Sequence, residues 1–166
     1  MQPAWTFQGE GIPFMRSGRG AVVEAARSNP EEPLPLTPMF LRTLEDTEQA
    51  REVSIPVERI GGPVLLVSGQ GDAMWPSSTF SELVMERLDE HRHPYPHEHL
   101  ALAGTGHMIG PPWSPTTIDY TLHPVTNSLF ALGGTPQESA TGRAAAWSKT
   151  LAFLDEHLTR DGGSRG

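Results

Sequence analysis

The chain predicts an α/β fold with parallel strands flanked by helices, and three segments carry that expectation. Pro63-Val-Leu-Leu-Val-Ser68 is a continuous apolar run bounded by Gly61-Gly62 and Gly69. A run without polar alternation fits a strand buried on both faces, as in a parallel sheet. His99-Leu-Ala-Leu-Ala103 is a second, shorter strand signal. Between them Phe80, Leu83, Val84 and Leu88 recur at helical spacing. The order strand, helix, strand, helix implies a parallel sheet covered by helices.

Taken in order, residues 1–38 read as irregular, because the stretch SNPEEPLPLTP is held open by Pro and Glu. Leu41 to Val53 is a short helix with Glu45 and Glu48 outward, so 1–54 forms an irregular or inserted region ahead of strand–helix units at 55–160. After the first strand, Gly69-Gln-Gly-Asp72 makes a turn. Ser77 or Ser78 is placed to cap the next helix, with Glu82 in its early turns and an end near His91. Residues 92–98 form a Pro- and His-rich connector. The second strand ends at Gly104-Thr-Gly-His107, and a Pro-rich loop then leads to a helix from Gly142 to Arg160. Its stripe of Ala144, Trp147, Leu151, Leu154 and Leu158 is expected to face inward, and Gly162-Gly163 to end it.

Composition narrows the function classes. A net charge of -8 argues against nucleic acid or an anionic membrane as partner. The one basic stretch, Arg16 to Arg27, holds three arginines and reads as a solvated loop. Without cysteine there is no disulfide and no thiolate zinc site. No apolar run approaches the roughly 20 residues that span a bilayer, and the N-terminal residues lack a signal-peptide pattern, so a cytoplasmic protein is expected. No cofactor is called for.

Chemistry concentrates at two positions. In open α/β sheets, functional groups gather beyond the carboxyl ends of the strands. Asp72 stands there after one strand and His107 after the next, each in a glycine-flanked loop. Acid then histidine, with one helix between, is the order of the last two triad members in an α/β-hydrolase. Taken singly, Asp72 is also a good turn residue and His107 an ordinary loop histidine. Their placement at matching strand ends favours an acid and base, expected to share a hydrogen bond.

The segment IPVERIGGPVLLVSGQGDAMWPSS (55–78) resembles the acid-bearing segment of the bile acid-CoA:amino acid N-acyltransferase and acyl-CoA thioesterase family. AGTGHMIGPPWSP (103–115) is similar to that family's histidine segment. Gly133-Gly-Thr-Pro136 with Ala146-Trp147 resembles its closing motif, and AWTFQGEGIPF (4–14) the stretch that follows its nucleophile-bearing half. The resemblance implies the C-terminal portion of an α/β-hydrolase, with an acyl-CoA substrate cleaved through a Ser or Cys nucleophile and Asp72 and His107 on the family's acid and base. It also implies that the nucleophile and oxyanion hole lie upstream of Met1. Transfer of the acyl group to an amino acid is the close rival, and an inert remnant the rival of another class. An unpaired strand edge is expected to favour self-association.

Other signals are weaker. Gly162-Gly-Ser164-Arg-Gly166 satisfies G-x-S-x-G but is preceded by a helix rather than the required strand. Ser17 and Ser68 lack flanking glycines on the motif's spacing. His91, His93, His97 and His99 read as a solvated connector rather than a metal site, since Pro94 and Pro96 keep the stretch extended. Trp75 and Trp113 read as packing residues, with acyl-pocket lining as the functional alternative. Pro111, Pro112 and Pro115 stiffen the histidine loop or mark a surface turn. Met15, Met39, Met74 and Met108 read as gap fillers.

Overall fold

The computed structural model describes residues 5–16, 31–124 and 127–158. Its centre is a parallel pair, β3 (Val64–Gly69) and β4 (His97–Leu102), in register from Val64 opposite His97 to Gly69 opposite Leu102. The connection between them is helix α3 (Ser77–Glu90), and α3 and the last helix α4 (Pro136–Leu158) both contact the pair. A parallel pair needs such a crossover, because the chain must return to the same end of the sheet.

Two smaller antiparallel pairs accompany it. β1 (Thr6–Phe7) and β2 (Glu10–Gly11) form a hairpin whose two turn residues, Gln8 and Gly9, both have positive φ, as a tight turn matching strand twist requires. β5 (Tyr120–Leu122) pairs with β6 (Leu129–Ala131). Leu34 runs beside β6, its N–H donating to the Leu129 carbonyl and its own carbonyl accepting from Ala131 N–H. The described part of 1–54 thus holds a hairpin and two short helices, α1 (Thr37–Leu44) and α2 (Thr47–Val53). The single helix expected over 41–53 is split because the Asp46 side chain accepts from Gln49 N–H and starts a new helix.

Other boundaries moved for local reasons. Neither Ser77 nor Ser78 caps α3. Pro76 occupies the cap position, Ser77 donates to the Gly69 carbonyl, and Ser78 shares a hydrogen bond with Ser68. β4 begins at His97, so His97 and His99 belong to a strand, while His93 is buried with Nε2 at the Gly62 carbonyl. The solvated-connector reading of these histidines is therefore corrected. No group of metal-ligating side chains occurs among the described residues, nor does any described helix have the length and apolarity to cross a membrane.

α4 starts six residues earlier than the sequence predicts. Thr135 accepts from Glu138 N–H and donates to the Glu138 carboxylate, a reciprocal cap at the helix start. Its inward face also differs from the expected stripe. Ser139, Gly142, Arg143 and Ala146 are buried, whereas Trp147, Leu151, Leu154 and Leu158 are exposed. Small residues decide this: a side chain on Gly142 would collide with Thr105, so only the glycine face lets the helix approach the histidine loop closely. The expected stop at Gly162-Gly163 lies outside the described residues. Among the described residues the buried apolar core consists of Leu36, Val64, Leu88, Leu102, Phe130, Leu132 and Ala146, with Leu88 at 0% exposure.

Candidate active site

Asp72 and His107 come from loops that leave β3 and β4 at the same end, and the loops pack backbone against backbone. Gly71 N–H donates to the Thr105 carbonyl at 2.9 Å. A third segment locks them together. The Leu132 carbonyl, just beyond β6, accepts from His107 N–H at 2.8 Å and from Ala73 N–H at 3.4 Å, and Asp72 bridges to Gly133. This crossing has no room for side chains. Gly106 lies against the Gly133 carbonyl, and Gly133, at φ +71°, against the Gly71 carbonyl. The closing Gly133-Gly134 pair is thus the wedge that fixes the spacing of the two loops. From the other side Thr37, at the start of α1, donates its hydroxyl to the Asp72 carbonyl, and Leu36 and Thr37 N–H both reach the Ala73 carbonyl.

Within this frame His107 Nδ1 donates to Asp72 Oδ2 at 3.0 Å, the tautomer a carboxylate partner selects. Asp72 Oδ1 accepts from Met74 and Trp75 N–H, both at 2.9 Å. The Asp72 side chain is 3% exposed and that of His107 27%. Burial by itself pushes the Asp72 carboxyl up. Hydrogen bonds from His107 and from the Trp75 backbone outweigh it, so the group sits below its ordinary value. The acid therefore stays ionised at neutral pH. His107 Nε2 makes no hydrogen bond to any described residue.

The surroundings are partly as expected. Trp75 lies with its ring centroid 5.6 Å from that of His107 and 6.2 Å from that of Phe40, and remains 48% exposed. Trp113 meets Trp147 edge to face at 5.3 Å and is 73% exposed, so its packing is slight. Met74 and Met108 flank the site, Met108 also exposed. Among the serines weighed, Ser68 is fully buried and bonded to Ser78 and to His99 Nε2, remote in partnership from His107. Ser17 and Ser164 lie outside the described residues.

Arg143 escaped the sequence reading. It is 2% exposed, and its guanidinium donates to the carbonyls of Met108, Ser114 and Pro115. In the sequence Arg143 stands four residues before Trp147, in line with the stripe of Trp147, Leu151, Leu154 and Leu158, so no local signal set it apart.

Residues 21–160 match the family described as BAAT / Acyl-CoA thioester hydrolase C terminal. The peroxisomal succinyl-coenzyme A thioesterase of Mus musculus is 35% identical over 104 residues, covering 63% of this chain and 24% of that protein. Acyl-coenzyme A thioesterase 2, mitochondrial, of Homo sapiens is 33% identical over 112 residues, 68% of this chain and 22% of that protein. Acyl-coenzyme A amino acid N-acyltransferase 1 of Mus musculus is 30% identical over 108 residues, 65% and 25% respectively. The chain spans about a quarter of the length of these curated relatives, two of which carry different compartments in their names. With a match over residues 21–160 that takes in both loops and the Gly133-Gly134 wedge, the chain belongs to the BAAT / acyl-CoA thioester hydrolase C-terminal family.

Proposed function

We propose that the chain supplies the acid and base of a Ser/Cys-His-Asp triad acting on acyl-CoA thioesters, within the C-terminal portion of an α/β-hydrolase fold. The observation that carries this reading is the 3.0 Å hydrogen bond from His107 Nδ1 to Asp72, which leaves Nε2 as the free ring nitrogen. In the reaction Nε2 takes the proton of the attacking hydroxyl or thiol, and the nucleophile's oxygen or sulfur bonds to the thioester carbonyl carbon. The carbon–sulfur bond to CoA breaks, and the imidazolium returns the proton to the departing thiolate. Water, deprotonated by the same nitrogen, then releases the acid. Asp72 holds the imidazole tautomer and stabilises the imidazolium through its ionised carboxylate.

The nucleophile belongs, in this reading, to a segment outside these 166 residues. Transfer to an amino acid differs only in the second acceptor, and the relative named as an N-acyltransferase keeps that reading beside hydrolysis. The cytoplasmic location expected from sequence remains part of the proposal, as does self-association: β3 and β4 each keep one edge without a strand partner among the described residues.

Release of CoA thiol tests the catalytic reading. The 166-residue chain should show negligible turnover. A protein extended upstream through an in-frame G-x-[SC]-x-G should hydrolyse acyl-CoA, with His107→Ala lowering kcat on the order of 10⁴- to 10⁶-fold and Asp72→Asn about 10⁴-fold. An unchanged rate in the extended His107→Ala variant would sink the assignment. Robust turnover by the 166-residue chain, lost on Ser164→Ala, would restore the terminal serine as nucleophile. Absence of any upstream motif, with an inactive chain, would favour the inert remnant.

A further inference from the structure

The Arg143 guanidinium lies on the inner face of α4 at 2% exposure and makes no ion pair among the described residues. A buried charge without a counter-ion is costly, and a residue needed only for packing on this face would be apolar. What the guanidinium meets instead is a set of backbone carbonyls: Nε donates to Met108 at 2.7 Å, and Nη1 to Ser114 at 2.9 Å and Pro115 at 2.6 Å. These carbonyls stand at the two ends of the loop that leaves His107. The loop is short of donors, because Pro111, Pro112 and Pro115 have no N–H. Its own bonds here are Ile109 N–H to the His107 carbonyl and Ser114 N–H to Pro111. The carbonyls that the buried Arg143 covers need a donor from elsewhere, and the planar guanidinium fork reaches three of them at once.

We infer that Arg143 is the positioning residue of His107: by pinning Met108, Ser114 and Pro115 it closes the loop and fixes where the imidazole stands against Asp72. The inference rests on the triad reading above. A second contact from the same helix supports it, since Trp147, one turn beyond Arg143, meets Trp113 of the same loop edge to face. The side of His107 towards β4 is held separately, by His107 N–H to Leu132 and by the Thr105 hydroxyl to the Glu138 carbonyl on α4. Arg143 is thus the donor on the loop's free side. A lysine there has one nitrogen, which cannot reach three carbonyls spread over both ends of the loop.

The test is NMR of the 166-residue chain labelled with ¹⁵N-histidine and with methyl-labelled leucine. The hydrogen-bonded Nδ1 proton of His107 should give a resolved downfield signal, assigned by its loss in Asp72→Asn. In Arg143→Met and in Arg143→Lys that signal should disappear through exchange with water, while the methyl signals of Leu88 and Leu102 stay in place. Persistence of the proton signal in both variants would overturn the role of Arg143 and leave the triad reading standing. Its absence from the unsubstituted chain would overturn the Asp72–His107 pair, and Arg143's role with it. Loss of the Leu88 and Leu102 signals in both variants would make Arg143 a residue of global folding and likewise overturn the proposal.

Discussion

Replacing Gly133 by alanine should separate the two loops of the site without touching either functional side chain. Gly133 sits at φ +71°, and a methyl built on it points into the Gly71 carbonyl and the Ala73 backbone nitrogen. The left-handed conformation alone costs a non-glycine residue about 1–2 kcal/mol. Forcing a methyl into close-packed surroundings adds about 1–3 kcal/mol, because the obstacle is backbone that cannot swing aside. The Leu132 bonds to Ala73 and His107 stand next to the insertion and should weaken with it. Together these give a destabilisation of about 2–5 kcal/mol. Urea unfolding of Gly133→Ala beside Gly61→Ala reads it directly. Gly61 has nothing within 4 Å of its built Cβ and no positive φ, so alanine there should change stability by less than about 1 kcal/mol, in the stabilising direction. Equal midpoints for the two variants would refute the wedge assigned to Gly133.

Leu88→Ala, at a core position with no exposure, should cost about 2–5 kcal/mol in the same assay. Acid should destabilise the chain through Asp72, whose carboxyl is lower folded than unfolded: its contribution is present above the ordinary carboxylate range and is lost as pH falls through the folded value. Asp72→Asn should flatten that part of the stability–pH curve. Glu58, lowered to about 2 by its hydrogen bond from Arg87, should add a further loss between pH ~4.5 and ~2, removed in Glu58→Gln. His97 moves the other way. Asp89 raises its pKa, so its stabilising contribution is complete below the ordinary histidine value and is lost as pH rises through the folded one. Asp89→Asn should shrink that step, a small one at an exposed pair, leaving only the part due to the Tyr95 carbonyl.

The apolar run Val64–Val67, the helix carrying Leu88 and the strand ending at Leu102 were legible in the sequence in their correct order, because each is signalled by neighbours within a few residues. The same local signals put Asp72 and His107 in glycine loops at strand ends. They also gave the Asp46 cap residue and the Thr135-Pro-Gln-Glu138 helix start, although the sequence reading passed over both. What the sequence alone left open concerns contacts between distant segments. The inward face of α4 was read from its large apolar residues, yet Gly142 and Ala146 decided it, since close approach to Thr105 depends on what is absent from a side chain. The β5–β6 pair was hidden in a loop because three-residue strands form only when a partner such as Leu34 supplies hydrogen bonds. The meeting of His107 with Asp72, the double use of the Leu132 carbonyl and the burial of Arg143 were decided by tertiary structure alone: each joins groups more than twenty-four residues apart, and no periodicity in a sequence records which backbone carbonyl a distant N–H will reach.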